Sequence, residues 1–164
     1  MATNEETKKA YPGVEIGYDF VLPSYEWMLT RMDAADARIQ TLQNFSITFT
    51  LAVPAAAKAL NSRIEVTDWR FLLAIALFIA LSIVGLVEQL NPAIKVANPN
   101  IIFNEWLELD EWEFKKDAIA RAGEHFEYNA NYLVRRARAN AWMTGLFLAE
   151  LLSLLGWVVT APTV

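Results

Sequence analysis

The sequence has no cysteine and one histidine, His125, among its 164 residues. Without cysteine the chain cannot form disulfide bonds, a thiolate metal site or a cysteine nucleophile. A single imidazole excludes the haem, zinc and di-iron sites that take two histidines from one chain, so we interpret His125 as a structural residue. We predict no metal and no cofactor.

Positive charge is also scarce, because 14 basic residues are outnumbered by 19 acidic ones and the net charge is −5. General nucleic-acid binding needs a basic surface that displaces counterions from phosphates, so this balance argues against it. The sequence offers no recognisable nucleophile–base set, metal cluster or phosphate-binding loop. We therefore predict that the protein is not an enzyme.

Apolar residues are abundant, at 55% of the chain, and they are concentrated in three blocks. The blocks cover residues 42–60, 70–88 and 141–160. About twenty residues at about 1.5 Å each cross a hydrocarbon core of about 30 Å, and the second and third blocks meet this requirement. Trp142 and Trp157 lie near the ends of the third block as interfacial anchors. The first block is marginal because it includes a proline, hydroxyl side chains and a lysine.

These blocks predict an all-α integral membrane protein with three transmembrane helices and long cytoplasmic helical extensions. A buried hairpin in a soluble protein is disfavoured, because a domain this short could hardly cover such blocks. After a polar segment at 1–23, residues 24–164 are predicted to form a single helical membrane domain. Its parts are a cytoplasmic helix 24–41, spans 42–60, 70–88 and 141–160, and a cytoplasmic helical segment 89–140.

The basic residues predict the orientation of these spans. Eleven of the 14 lie before the first span or between the second and third. Because cytoplasmic loops carry an excess of Lys and Arg, we expect a cytoplasmic N-terminus and an external C-terminus. The first forty residues contain no apolar core of signal-peptide length, so no cleavable signal is expected.

The first cytoplasmic helix has a clear start signal and an apolar seam. Ser24 follows Pro23 and is predicted to cap the helix N-terminus. Apolar residues then recur at alternating spacings of three and four, at Tyr25, Met28, Met32, Ala35, Ile39 and Leu42. This seam either packs on the chain's own 110–140 helix or mediates self-association.

The segment NEWLELDEWEF, residues 104–114, is both acidic and aromatic. Asp110 and Glu113 form a capping-box pattern, which predicts a helix from about Glu111 into the third span. The carboxylates therefore indicate a solvated helix start and not a cation site. Trp106 and Trp112 are candidates for docking a cytosolic regulatory partner.

One carboxylate, Glu150, lies near the centre of the third span. It is costly in lipid, so it should face a bundle interior or a water-filled cavity. Either a protonated Glu150 hydrogen-bonds to a Ser or Thr of a neighbouring helix, or copies from several subunits line a cation- or proton-conducting path. Residues four apart on the first span supply a second polar wall: Ser46, Thr50 and Lys58, with Pro54.

Small and basic residues suggest further contacts of the third span. A stripe of small residues predicts a helix–helix contact: Gly145, Ala149, Ser153 and Gly156. Three arginines precede the span: Arg135, Arg136 and Arg138. Anionic lipid headgroups are their expected partners, and a phosphate-bearing ligand is the alternative.

Two segments together carry a resemblance to a known group of proteins. DAADARIQ, at 33–40, leads into the membrane hairpin, and the second cytoplasmic segment carries RRAR at 135–138. With this layout, over about residues 25–160, the chain resembles the small transmembrane effectors of bacterial nucleotide-signalled anti-phage systems, such as SLATT-domain, Pycsar-type and Hailong-type effectors. The resemblance implies a homo-oligomer of the bacterial inner membrane that permeabilises or depolarises it on a nucleotide or oligonucleotide signal.

Two functions are therefore carried forward from the sequence. The first is an oligomeric inner-membrane channel or effector in which Glu150 is the polar point within the membrane. The second is a non-conducting membrane adaptor or accessory subunit that docks a partner through residues 104–114. The two differ in whether replacing Glu150, or replacing Trp106 and Trp112, removes the activity.

Overall fold

The computed structural model describes residues 10–59, 67–90, 94–96, 100, 104, 106 and 108–160. Three long α-helices account for most of them: α1, Val14–Ala59; α2, Trp69–Gln89; and α3, Glu111–Thr160. The described part of the chain contains no strand, and the prediction of an all-helical protein is confirmed for it. Pro92, Pro99 and the other predicted loop residues between α2 and α3 lie mostly outside the described residues.

Helix α1 begins at Val14, ten residues before the predicted start, so the prediction that Ser24 is the cap is wrong. Ser24 lies inside the helix, where its Oγ donates a 2.9 Å hydrogen bond to the carbonyl of Phe20. A proline at Pro23 removes one backbone donor and disfavours a helix interior. Packing of the preceding turns outweighs this penalty, since Val14 is buried and Gly17 lies against Ile119.

The other two helices begin as the sequence predicts. The side chain of Asp68 accepts a hydrogen bond from the backbone N–H of Arg70 and caps α2. The side chain of Asp110 accepts a 2.8 Å hydrogen bond from the backbone N–H of Glu113, which confirms the predicted cap of α3. Helix α3 then continues through Gly123 for 50 residues, as predicted from Glu111 onward.

Two helices are long and apolar enough to cross a membrane, α2 and α3. Only 22% of the apolar window of each is buried inside the described structure, so neither resembles the covered core helix of a soluble protein. Helix α1, which contains the first apolar block, does not pass the same test. The evidence for membrane association therefore comes from two of the three predicted spans.

The described residues belong to two compact units, and α1 and α3 contribute to both. Unit 1 draws on Met1–Asp33 and Ala93–Val134, and unit 2 on Ala34–Pro92 and Arg135–Val164. In unit 1, Met28 and Met32 pack against Tyr132 of α3. In unit 2, Ile39 packs against Met143 of α3 and Leu81 of α2. The predicted seam of α1 is thus a buried face that packs on the chain's own α3.

Candidate functional site

Glu150 lies at the centre of a polar cluster inside unit 2, and its side chain has no exposed surface. The Ser46 hydroxyl donates a 2.5 Å hydrogen bond to Oε2, and the Thr50 hydroxyl donates a 2.5 Å hydrogen bond to Oε1. Ser46 and Thr50 are four residues apart, so both lie on the same face of α1. These three residues, which we call the Glu150 cluster, satisfy both oxygens of a carboxylate within one chain.

A layer of apolar side chains covers one side of the Glu150 cluster. Ile39, Leu81 and Met143, one from each helix, are almost completely buried and pack together. We call these three residues the apolar layer. On α3, Met143 precedes Glu150 by seven residues, so the two side chains face the same way. The apolar layer therefore closes the bundle interior on this side of the carboxylate.

On its other side, the Glu150 cluster is followed by a third hydroxyl side chain, that of Ser153. Ser153 donates a 2.7 Å hydrogen bond to the backbone carbonyl of Arg70, which ties α3 to the first turn of α2. The Arg70 guanidinium in turn bonds to the Thr160 hydroxyl. Leu154 and Trp157 are buried near this end, where Trp157 packs on Phe71. This end of the bundle therefore combines aromatic packing with polar ties between α2 and α3.

The predicted polar wall is only partly assembled. Ser46 and Thr50 join Glu150, whereas Lys58 is exposed and Pro54 is half-buried. The buried residue of that last turn is Ala57. The face of α1 that packs inward has shifted by this point, because the helical repeat does not hold a strict spacing of four over many turns. Lys58 therefore does not share the site of Glu150.

The predicted stripe of small residues divides into two parts. Gly145 and Ala149 are exposed, and a Cβ added at Gly145 would meet nothing within 4 Å in the described structure. Ser153 is buried, and Gly156 packs near the side chain of Arg70. The second part of the stripe thus contacts α2, while the first part faces outward from the bundle.

The three arginines before the third span have different surroundings. Arg136 is 4% exposed and lies between two carboxylates, with Nε 3.1 Å from Asp36 and Nη1 3.4 Å from Glu88. Arg135 also pairs with Glu88, at 3.2 Å. Arg138 is exposed. Arg135 is exposed as well, although it pairs with Glu88, so Arg135 and Arg138 have the open positions expected of residues that meet lipid headgroups or an anionic ligand.

Asp36, Glu88, Arg135 and Arg136 form what we call the arginine cluster, which joins all three helices of unit 2. Its formal charges cancel, and pairing is required because unpaired buried charges are strongly destabilising. Two buried oxygens at this end of the bundle, Oδ1 of Asp36 and Oδ1 of Asn140, accept no hydrogen bond from the described residues. Such atoms ordinarily find a donor, and an ordered water is the usual one.

The contact between α1 and α2 depends on a glycine. Oε1 of Gln43, on α1, accepts a 2.8 Å hydrogen bond from Nε2 of Gln89, on α2. A Cβ at Gly85 would lie 2.1 Å from Gln43 Nε2. Only glycine therefore leaves room for the Gln43 side chain at this place.

Unit 1 contains an open, largely apolar cavity of about 200 Å³. Its walls include Tyr18, Phe114 and Trp106, together with Arg121 and His125. Trp106 is 5% exposed and packs edge-on against Phe114, with the Arg121 guanidinium over its ring. Of the two predicted docking residues, Trp106 is therefore buried and Trp112 is half-buried.

Electrostatic contacts hold the start of α3 to α1 in unit 1. Lys115 Nζ lies 2.7 Å from Glu111 and 2.9 Å from Glu15. The hydrogen bond from Lys115 lowers the pKa of the Glu111 carboxyl, and the same bond raises the pKa of the Lys115 ammonium. Elsewhere in the unit, Tyr25 donates a hydrogen bond to the carbonyl of Lys95, and burial raises the pKa of its hydroxyl.

Sequence reasoning missed the arginine cluster and Asn140. A signal was present, because Asp36, Glu88, Arg136 and Asn140 are polar residues on faces otherwise apolar. Burying polar groups at such places is costly unless they are paired. Their presence therefore predicts that each has a partner, but it does not predict which residue the partner is. The pairing itself depends on which helices are neighbours, and that was not available from spacing along one helix.

Among the described residues, no group of three or more His, Cys, Asp or Glu side chains is placed to hold a metal ion. The polar clusters of unit 2 can instead hold a proton, exchange hydrogen bonds and tie the helices together. No protein-family model, curated protein or solved structure matches the chain.

Proposed function

We propose that the chain is an oligomeric membrane effector or channel that permeabilises or depolarises the bacterial inner membrane in response to a signal. The observation that carries the proposal is the Glu150 cluster. A carboxylate and two hydroxyls are completely or nearly buried in a bundle that includes the two membrane-compatible helices. Intramembrane carboxylates are costly and are typical of ion and proton pathways, so a simple anchor has no need of one.

The oligomer is supported by the outward-facing part of the small-residue stripe. Gly145 and Ala149 are exposed on the membrane-compatible part of α3, and small residues let helix backbones approach closely. An assembly through this face leaves the Glu150 cluster inside each subunit. The N-terminus and residues 89–140 are placed in the cytoplasm by this proposal, in agreement with the distribution of basic residues.

The signal is proposed to act on unit 1. Its cavity offers aromatic surfaces beside a guanidinium and an imidazole, at Trp106, Arg121 and His125. A nucleotide or oligonucleotide is the signal that the resemblance implies. Helices α1 and α3 contribute to both units, so a change in their packing is a physical route to the Glu150 cluster.

The test is the membrane potential of bacteria that carry an inducible copy of the gene, followed with a potential-sensitive dye before and during phage infection. We expect the native chain to depolarise the cells and Glu150→Gln to depolarise them much less. Glu124→Gln is the matched control, because it makes the same change at an exposed position of the same helix. It should behave as the native chain does.

One outcome would contradict the role of Glu150, and another would contradict the proposed function itself. Equal depolarisation by the native chain and Glu150→Gln would leave Glu150 with a packing role alone. An absence of depolarisation by the native chain under both conditions would favour the membrane adaptor. That adaptor would capture a cytosolic partner through Trp112, the more accessible of the two tryptophans, and Trp112→Ala would abolish the capture.

A further inference from the structure

The interior of unit 2 alternates between polar and apolar levels. Along α3, Arg136, Met143 and Glu150 follow one another at intervals of seven residues and are all buried. They belong in turn to the arginine cluster, the apolar layer and the Glu150 cluster. Residues at this interval lie on one face of a helix, so the three levels are stacked along a single interior line.

We propose that this line is a proton path through the interior of each subunit, closed at rest by the apolar layer. The inference rests on the proposed function and names the ion that is carried. Protons move along hydrogen-bonded groups and waters, and carboxylates serve as relays in membrane proteins. Apolar constrictions close such paths by excluding water.

The geometry of Glu150 is suited to protons and unsuited to hydrated metal cations. Neither Glu150 nor Ser46 has any exposed surface, so no water-sized volume touches either side chain. To reach the carboxylate, a hydrated cation would have to displace the packed side chains around it. A proton can, because the hydroxyls of Ser46 and Thr50 already lie 2.5 Å from its oxygens and can reorient as a proton arrives.

Two buried oxygens without a hydrogen-bond donor among the described residues indicate a place for water at the end of the bundle beyond the apolar layer. Oδ1 of Asp36 and Oδ1 of Asn140 are buried and accept no hydrogen bond from the described residues. Asp36 Oδ1 lies near Arg136 without receiving an aligned hydrogen bond from it. Buried acceptors ordinarily have a hydrogen-bond donor, and ordered water is the donor that we infer for these two oxygens. Water at this place would be separated from Glu150 by the apolar layer.

The opposite end supplies an exit. Ser153 is three residues beyond Glu150 on α3 and retains a small exposed surface. Its hydroxyl bonds to the carbonyl of Arg70, in the partly exposed first turn of α2. A proton taken up by Glu150 from water on the Asp36 side is released to water beside Ser153. The carboxylate and hydroxyls return to their starting states, and the net result is one proton moved.

The apolar layer accounts for a closed resting state. About ten residues of α3, or about 15 Å, separate Asn140 from Glu150. The apolar layer lies between these two residues along α3, and further apolar side chains pack against it: Leu42, Val84, Leu146 and Phe147. Closely packed apolar side chains leave no polar partners for water, so protons have no relay through this layer. A change in helix packing that admits water would connect the two polar levels.

The experiment uses the full chain reconstituted in vesicles of phosphatidylethanolamine and phosphatidylglycerol. A pH-sensitive dye inside the vesicles reports proton flux while a potassium gradient with valinomycin sets the potential. Leu81→Asn keeps the number of side-chain heavy atoms and makes the apolar layer polar. We expect it to raise proton flux about tenfold, which corresponds to about 1.4 kcal/mol of barrier. Leu86→Asn, at an exposed position of α2, is the matched control and should not raise it.

A second variant and a double variant complete the design. Met143→Gln makes the same layer polar from α3. It takes the place of Leu81→Asn in the test if circular dichroism shows that Leu81→Asn folds poorly. Glu150→Gln in the background of either variant should return proton flux to the native level. Potassium flux, measured without valinomycin, should stay unchanged throughout.

Three results would overturn the inference. They are proton flux at the native level in both folded layer variants, raised flux that survives Glu150→Gln, and potassium flux that rises as much as proton flux. Depolarisation of cells that depends on Glu150 would still uphold the proposed function in each case. That combination would place the conducting path at a contact between subunits, outside the single bundle.

Discussion

Ser46 and Glu150 are 104 positions apart in the sequence, yet the Ser46 hydroxyl donates a 2.5 Å hydrogen bond to the Glu150 carboxylate. The bond joins the least apolar of the three sequence blocks to the third. It gives the hydroxyl side chains of α1 a partner inside the bundle, and it gives a membrane-compatible helix a way to bury a carboxylate. The marginal character of the first block and the charge in the third thus have one structural explanation.

Removal of this hydroxyl should weaken the bundle by a measurable amount. We expect Ser46→Ala to lower the free energy of unfolding by about 1 kcal/mol, as for other interhelical hydrogen bonds in membranes. Thr48→Ala is the control, because the Thr48 hydroxyl bonds to the carbonyl of Asn44 within its own helix. Unfolding in mixed detergent micelles measures both, and equal losses would contradict a specific role for Ser46.

Arg136 should be far more important to stability than Arg138. Arg136→Gln removes a nearly buried cation from Asp36 and Glu88. Glu88 keeps its pair with Arg135 and the Asp36 side chain is 39% exposed, so we expect a loss of about 1–3 kcal/mol. Arg138→Gln changes an exposed position and should alter the free energy of unfolding by no more than about 0.5 kcal/mol. Unfolding in mixed detergent micelles measures the free energy for both variants. Similar losses in the two would argue against the arginine cluster.

Gly85 and Gln43 should be energetically coupled. Gly85→Ala forces the Gln43 amide away and breaks its 2.8 Å bond with Gln89. In a Gln43→Ala background the obstruction is absent, so Gly85→Ala should instead stabilise α2 by about 0.5–1 kcal/mol through helix propensity. A double-mutant cycle measures the difference. Additive effects of the two substitutions would show that the residues do not touch.

Acidification should loosen the start of α3 in unit 1. The pKa of Glu111 is lowered by its bond to Lys115, so the stabilising contribution is present above the ordinary value of 4.5. It is lost as pH falls through the lower folded-state value. The protection of amides at residues 111–115, measured against the intrinsic exchange rate at each pH, should therefore fall below about pH 4.5. Glu111→Gln should show this reduced protection already at neutral pH, and protection that does not change with pH in the native chain would contradict the contact.

Assembly should depend on the outward part of the small-residue stripe. Gly145→Leu adds bulk where the described structure has open space, so the single chain should keep its fold while oligomers are lost. Thr144→Leu adds bulk at an exposed position about 100° around the helix and is the control. Subunit counting by photobleaching in nanodiscs distinguishes them. Intact oligomers in Gly145→Leu would place the contact elsewhere.

Much of the helical architecture could be predicted from local pattern. The seam from Met28 to Ile39 has an apolar repeat that matches the helical period, and the structure buries it. The cap at Asp110 follows from the chemistry of one side chain and the N–H three residues later. The start of α1 could not be predicted in this way. Tertiary packing of Val14 and Gly17 extends the helix through a proline that local rules treat as a boundary.

The candidate site was predictable in its parts but not in its connections. Spacing on α1 placed Ser46 and Thr50 on one face, and their buried positions agree with that placement. Spacing alone also placed Lys58 on the same face, although the helix presents Ala57 inward at that turn. The partners of Arg136 depend on contacts between separate helices, which no repeat within one helix encodes.

Synthesis from the N-terminus delays the formation of the long-range contacts in unit 2. The hydrogen bonds from Ser46, Thr50 and Asn140 each join residues at least 100 positions apart. At about 5–20 residues per second, synthesis leaves the hydroxyls of α1 waiting about 5–20 s for the carboxylate that completes them. The first two helices therefore exist for a time as an unfinished hairpin with exposed polar groups. Docking of α3 can follow only after its synthesis, and a chaperone or insertase that shelters the hairpin would act in that interval.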